Sequence, residues 1–233
     1  MSRRVPEFAL VTGLLLGLST LLSGVVLADE VLTTSLLSAL VSYPFVAYAV
    51  VSDDDPTTVM PPRAILALGA LFGAALFVVS LLADPSPANA LSGLFAGLLV
   101  SLPPVAYAVY FEADVNPLSP RETVVAGVGV GVALLVFGLA VGSASYGAAD
   151  ALLVGLSAAV YGAARGVRFD ARTKRAAVAV GVVLGVAVVA VGVSRGEPLG
   201  DWLAVAMTLT LAPSVYYALT SARFGSERRR TRR

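Results

Sequence analysis

The sequence predicts an all-α, polytopic transmembrane helical bundle of eight spans, built as four tandem helical hairpins in two parallel four-helix halves. Three observations carry the prediction. The chain is 58% apolar and 13% charged, with a mean hydropathy of +0.87, far from the balance of a soluble domain. Its apolar residues fall in blocks of about 20, the length a helix needs to cross a hydrocarbon core. A short motif also returns along the chain at a nearly fixed period, the mark of one supersecondary unit used several times.

The first block, Phe8 to Ala28, follows Ser2-Arg3-Arg4. Val26-Leu27-Ala28 resembles a signal cleavage site, but the block is longer than the 7–15 residues of a signal h-region, so a retained helix is expected. The second block runs from Val31 to Val51 and ends at Asp53-Asp54-Asp55-Pro56. The third is Ala64 to Ala83, and the fourth, Asn89 to Phe111, is followed by Glu112 and Asp114. The fifth is Thr123 to Gly142 and the sixth Ala148 to Ala164. A basic loop with Arg165, Arg168, Arg172, Lys174 and Arg175 then leads into the seventh, Ala176 to Val193. The eighth is Trp202 to Leu219, before the arginine-rich tail. The whole reads as one integral membrane domain, 1–233, with repeats of about 1–56, 57–115, 116–170 and 171–233.

With the N-terminus inside, every Lys and Arg except Arg195 falls in a cytoplasmic segment. Basic residues favour the cytoplasmic side, so both termini are expected there, in a cell membrane.

The recurring motif is Ser42-Tyr43-Pro44-Phe45-Val46-Ala47-Tyr48, echoed at Ser101-Leu102-Pro103-Pro104-Val105-Ala106-Tyr107. Ala158, Val160 and Gly162 form a worn third copy, with Ser157 one residue out of register, and Pro213, Val215 and Tyr217 form the fourth. The steps are 59 from Pro44 to Pro103, then 55 to Ala158 and 55 to Pro213. The odd-numbered blocks carry a second signature, the G-x-x-x-G pairs Gly13/Gly17, Gly69/Gly73, Gly127/Gly131 and Gly181/Gly185. Glycines four apart share a helix face and let a neighbouring backbone approach, so these pairs are expected to pack helices.

A proline inside a helix frees a carbonyl and bends the helix, and a tyrosine near the membrane surface is an interface anchor. Ser42, Pro44, Tyr48, Ser101, Pro103, Tyr107, Ser157, Pro213 and Tyr217 are therefore kink and anchor positions, or else line a cytoplasm-facing cavity of the kind transporters build from broken helices.

There is no cysteine and no histidine. That removes disulfides, thiolate nucleophiles, imidazole relays and Cys or His metal sites. No acid or base stands in the middle of a predicted span, and Glu30, Asp150 and Asp201 read as N-terminal helix caps favoured by the macrodipole. No P-loop, nucleophile elbow or dinucleotide fingerprint is present. No catalytic, cofactor or metal residue is therefore assigned, and the absence of a basic soluble domain speaks against nucleic acid.

Three functional classes stay open. A non-catalytic membrane component, a scaffold or subunit, fits the missing chemistry; its partners are the lipid bilayer and a membrane protein or second copy. A small-solute permease fits the repeats. An intramembrane transferase fits only the loop acids, with Asp53-Asp54-Asp55 and Glu112/Asp114 holding Mg²⁺. Fifteen arginines against one lysine, heavy Ala, Val and Gly usage and Asp-rich short loops resemble the multi-pass membrane proteins of halophilic archaea, a likeness of composition that carries no functional residue over.

Overall fold

The structure, a computed structural model, describes residues 5–27, 31–53, 55–112, 116–167, 169–196 and 199–230. Among them are eight α-helices and no strand: α1 Val5–Leu27, α2 Val31–Ser52, α3 Pro62–Ala83, α4 Pro87–Phe111, α5 Pro120–Ala140, α6 Ala144–Ala164, α7 Ala171–Arg195 and α8 Leu199–Arg230. Helices α1 to α7 are each long and apolar enough to cross a membrane. The eighth apolar block lies in α8, which runs on to Arg230.

The helices begin where the backbone chemistry favours it. Proline opens α3, α4 and α5, where its missing N–H is not needed. Ser119 caps α5 in a capping box: its hydroxyl accepts from the Glu122 N–H, and the Glu122 carboxylate accepts from the Ser119 N–H at 2.9 Å. Ser119→Ala should cost about 1 kcal/mol, read as a lower thermal midpoint in detergent. Helices α5 and α6 end in Schellman turns at Gly142 (φ 71°) and Gly166 (φ 86°), with Ser143 N–H bonded to Gly138 O and Val167 N–H to Gly162 O, both at 2.8 Å. A left-handed residue is needed there, and glycine takes that conformation without strain.

The end of α8 lies eleven residues past the expected Leu219, and two helix starts differ from the sequence expectation by four residues or more. Helix α7 starts at Ala171, so Arg172, Lys174 and Arg175 form its first turns and are not loop. Asp170 accounts for this by accepting from the Thr173 N–H at 3.3 Å; hydrogen bonding from the Thr173 side chain, together with the backbone bond, holds its carboxyl below the usual range. Helix α6 starts at Ala144, four residues early, with a consequence for Asp150 described below. Arg168 lies outside the described residues.

The chain divides into two compact units, Met1–Pro85 with Ala96–Asn116, and Ser86–Phe95 with Pro117–Arg233. In both, residue size is distributed inside out. The buried positions are mostly Gly, Ala and Ser, while Leu, Val and Phe side chains point away from the helix contacts. In water that surface would aggregate. In a bilayer the acyl chains solvate it, and helices associate instead through close packing of small residues.

The glycine pairs show how. On α1, Gly13 sits against Phe45 and Gly17 against Ser38 and Ser42 of α2. On α3, Gly69 sits against Pro104 and Gly73 against Gly97 and Ser101 of α4. On α5, Gly127 meets Ala158 and Gly131 meets Ala151 of α6. On α7, Gly181 meets Leu209 and Pro213, and Gly185 meets Ala206 and Thr210 of α8. Each odd helix thus lies on the even helix that follows it, and the glycines face the proline-motif segment. The two recurring signatures are the two sides of one seam. A further small residue stands seven positions beyond each pair: Gly24, Ser80, Gly138 and Gly192. Positions four and eleven residues on are rotated by only about 20–40°, so each trio forms one stripe roughly 16 Å long.

Candidate functional site

The proline-motif residues were the sequence's candidates, and the hairpin seam decides where most of them go. Ser42 Oγ donates to Ser38 O at 2.8 Å, and Ser101 Oγ donates to Gly97 O at 2.7 Å. Both hydroxyls satisfy their own helix and pack on glycines of the neighbouring one. Pro213 also faces a glycine, Gly181, and Ala158 takes the corresponding place against Gly127. Pro44 is exposed, and Tyr48 is half exposed at 51%. Ser157 and Tyr217 are half-buried, in α6 and α8 of the second unit.

Pro103 and Tyr107 do come together, in a partly open cavity of about 740 Å³ in the first unit. It lies between the C-terminal turns of α2 and α4, which are cytoplasmic in the expected orientation. Val46, Val50, Ile65, Pro104 and Phe111 supply apolar wall, and Tyr43, Tyr107, Tyr110 and Asp53 supply the polar atoms. Two of these tyrosines are committed. Tyr107 Oη donates to Met60 O at 2.7 Å, tying the end of α4 to the connection before α3, and Tyr43 Oη donates to Val100 O at 2.5 Å, tying α2 to α4. In the second unit Tyr216 Oη reaches Val167 O at 3.5 Å, in the connection before α7. The sequence offered no role for Tyr43 or Tyr216. Tyr43 directly precedes Pro44 and Tyr216 follows Pro213 by three residues, and that proximity was the available signal.

The loop acids are also committed to local structure. Asp53 accepts from the Asp55 N–H at 3.1 Å, and Asp55 accepts from the N–H and hydroxyl of Thr57, capping the 3₁₀ turn Pro56–Thr58. Glu112 pairs with Arg63 Nε at 2.6 Å, the two side chains 26% and 78% exposed. An ion pair so open to solvent is worth about 0–1 kcal/mol. Among the described residues no three or more His, Cys, Asp or Glu side chains gather closely enough to hold a metal. Asp54 and Asp114, the acids a transferase would need, lie outside the described residues, as does Glu30.

Asp201 stands in the first turn of α8, where a helix N-terminus favours an acid. Asp150 does not fit that role. Ser143 occupies the cap of α6, and Asp150 is the seventh helical residue, about 9 Å along the axis from the first. Its side chain is fully buried at 0% exposure, and neither carboxyl oxygen has a hydrogen-bond partner. The capping expectation fails because the helix starts before the apolar block at Ala148: Ser143-Ala144-Ser145-Tyr146-Gly147 already forms the cap and first turn. An unpartnered buried polar group costs about 1–3 kcal/mol even when neutral, and an ionised one several more.

No protein-family model, no curated protein and no solved structure matches the chain.

Proposed function

We propose that this protein is a non-catalytic membrane component that holds one lipid-like molecule, an apolar chain with a small uncharged or cationic head, in the cavity between α2 and α4. The observation that carries this is the cavity wall. It is apolar over most of its extent, has a volume usual for a small-molecule site, and binds its Tyr43 and Tyr107 hydroxyls to backbone carbonyls. Apart from the exposed Tyr110 and Asp53, which accepts from the Asp55 N–H, the described wall offers no nucleophile or base, so it can hold a molecule without transforming it. Asp53 at the rim disfavours an anionic head.

The test is a titration of a fluorescent acyl-chain amine into the purified protein in nanodiscs. Ala106 and Ala47 line the cavity and are exposed to it, so Ala106→Trp fills it without disturbing the seam. At least a tenfold weaker affinity is expected, about 1.4 kcal/mol, with the thermal midpoint unchanged. Equal affinity in the wild type, Ala106→Trp and Ala47→Trp would sink the proposal. A permease would share the cavity and differ by flux into proteoliposomes. A scaffold would add a partner membrane protein, or a second copy, that stays bound through purification.

A further inference from the structure

Asp150 belongs to neither the cavity nor the hairpin seams. Its own helix shows which way it faces. Gly147 and Ala151 lie against α5, at Gly138 and Gly131. Ala148 lies against α8, where it forms a small core with Ala144 and Val205 and its carbonyl accepts from the Thr208 hydroxyl at 3.0 Å. At 100° per residue Asp150 falls on neither side. It shares a face with Tyr146, one turn earlier, whose ring packs on Phe95 at 6.0 Å. The first turns of α4, part of the same unit, therefore lie over the carboxyl's side of α6.

The surroundings offer the carboxyl no charge. The facing stretches of α4 (Pro87–Phe95), α5 (Gly131–Gly138) and α8 (Ala204–Thr208) hold no Asp, Glu, Lys, Arg or Tyr. The nearest titratable groups along these helices are Tyr146 itself and Asp201, which is exposed. The Thr208 hydroxyl is already shared between Ala148 O and Ala204 O. An acid kept inside a membrane span without a partner is a functional group by default, and here the missing partner has to come from outside the chain. The smallest that fits a fully closed site is a proton.

We propose that Asp150 is a proton-binding site. In the closed arrangement it is a neutral carboxylic acid. When α4 and α6 part at Phe95 and Tyr146, its O–H bond breaks, the proton passes to an entering water molecule, and a hydrated carboxylate remains; closure reverses each step. In the expected orientation this end of α6 lies near the outer surface, so the site would follow external acidity. The proposal is independent of ligand binding in the first unit.

Infrared difference spectroscopy of the full-length protein in nanodiscs tests it, between about pH 5 and about pH 10, where unpartnered surface carboxylates are already ionised over most of the range. The expected result has three parts: a carboxylic C=O band at neutral pH, its shift in D₂O, and its reversible conversion to carboxylate absorption at alkaline pH. In D150N the band should be missing, with the thermal midpoint little changed because Asn copies the shape of the neutral acid. Should D150N fail to fold, wild-type protein carrying ¹³C at the aspartate carboxyls assigns the band to an aspartate by its isotope shift, and among the described residues Asp150 is the only buried aspartate. Absence of a carboxylic band at neutral pH overturns the proposal. So does a band that never exchanges or titrates, since that would make Asp150 a sealed structural acid.

Discussion

Gly73→Ile is expected to lower the thermal midpoint of the detergent-purified protein by roughly 6–12 °C, while Leu82→Ile on the same helix leaves it nearly unchanged. A Cβ at Gly73 would sit 2.7 Å from the carbonyl oxygen of Gly97 and 3.1 Å from Ser101 Cβ. The first of these is backbone, which cannot rotate away. The contact is also reciprocal, because a Cβ at Gly97 would sit 2.6 Å from Gly73 O. Relief requires α3 and α4 to separate, which removes dispersion contacts along the stripe through Gly69, Gly73 and Ser80. Overpacking of this kind costs about 3 kcal/mol at the upper end of its usual range. Leu82 is 80% exposed, and replacing one lipid-facing aliphatic with another changes stability by about 0.5 kcal/mol or less. Equal midpoints for the two variants would mean that the glycine face does not hold the hairpin together.

The same contrast shows what could be read before any coordinates. The helices were legible, seven of them because membrane spans announce themselves by length and apolarity, and because every backbone polar group in hydrocarbon needs an internal partner. The glycine pairs were legible from spacing. What they face was not, since Phe45, Pro104 and Ala158 are chosen by how far each even helix slides along its odd neighbour, and connection length sets that slide. The third stripe position could have been found: Gly24, Ser80, Gly138 and Gly192 all stand seven residues past a pair, but the serine among them conceals the pattern if only glycines are counted. The candidate site was less legible. Ser42 and Ser101 read as cavity hydroxyls because sequence cannot show that each bonds to the carbonyl four residues before it. Asp150 was hidden by a helix start misplaced by four residues, a common size of boundary error that here turned a buried acid into an apparent cap.

Gly138→Leu and Gly129→Leu should differ just as sharply, and they bear on both the seam and the proton site. Both glycines belong to α5, nine residues apart. A Cβ at Gly129 meets nothing within 4 Å, so leucine there extends into lipid and gains up to about 1 kcal/mol of helix propensity over glycine. A Cβ at Gly138 would lie 2.7 Å from the Cα of Gly147, 3.0 Å from Ser143 O and 3.1 Å from Gly147 N. All three are backbone atoms. Only Val141, Gly142 and Ser143 connect the two helices, and the turn is fixed by the Ser143 N–H bond to Gly138 O, so α6 cannot slide to make room. It has to tilt away, at a cost of about 3 kcal/mol. Asp150 is three residues beyond Gly147 on the displaced helix. Gly138→Leu should therefore lower the thermal midpoint and speed hydrogen–deuterium exchange of the Asp150 carboxyl, whereas Gly129→Leu should do neither. A lowered midpoint with unchanged exchange would uncouple the cover of Asp150 from the α5–α6 seam and leave its accessibility to α4 alone.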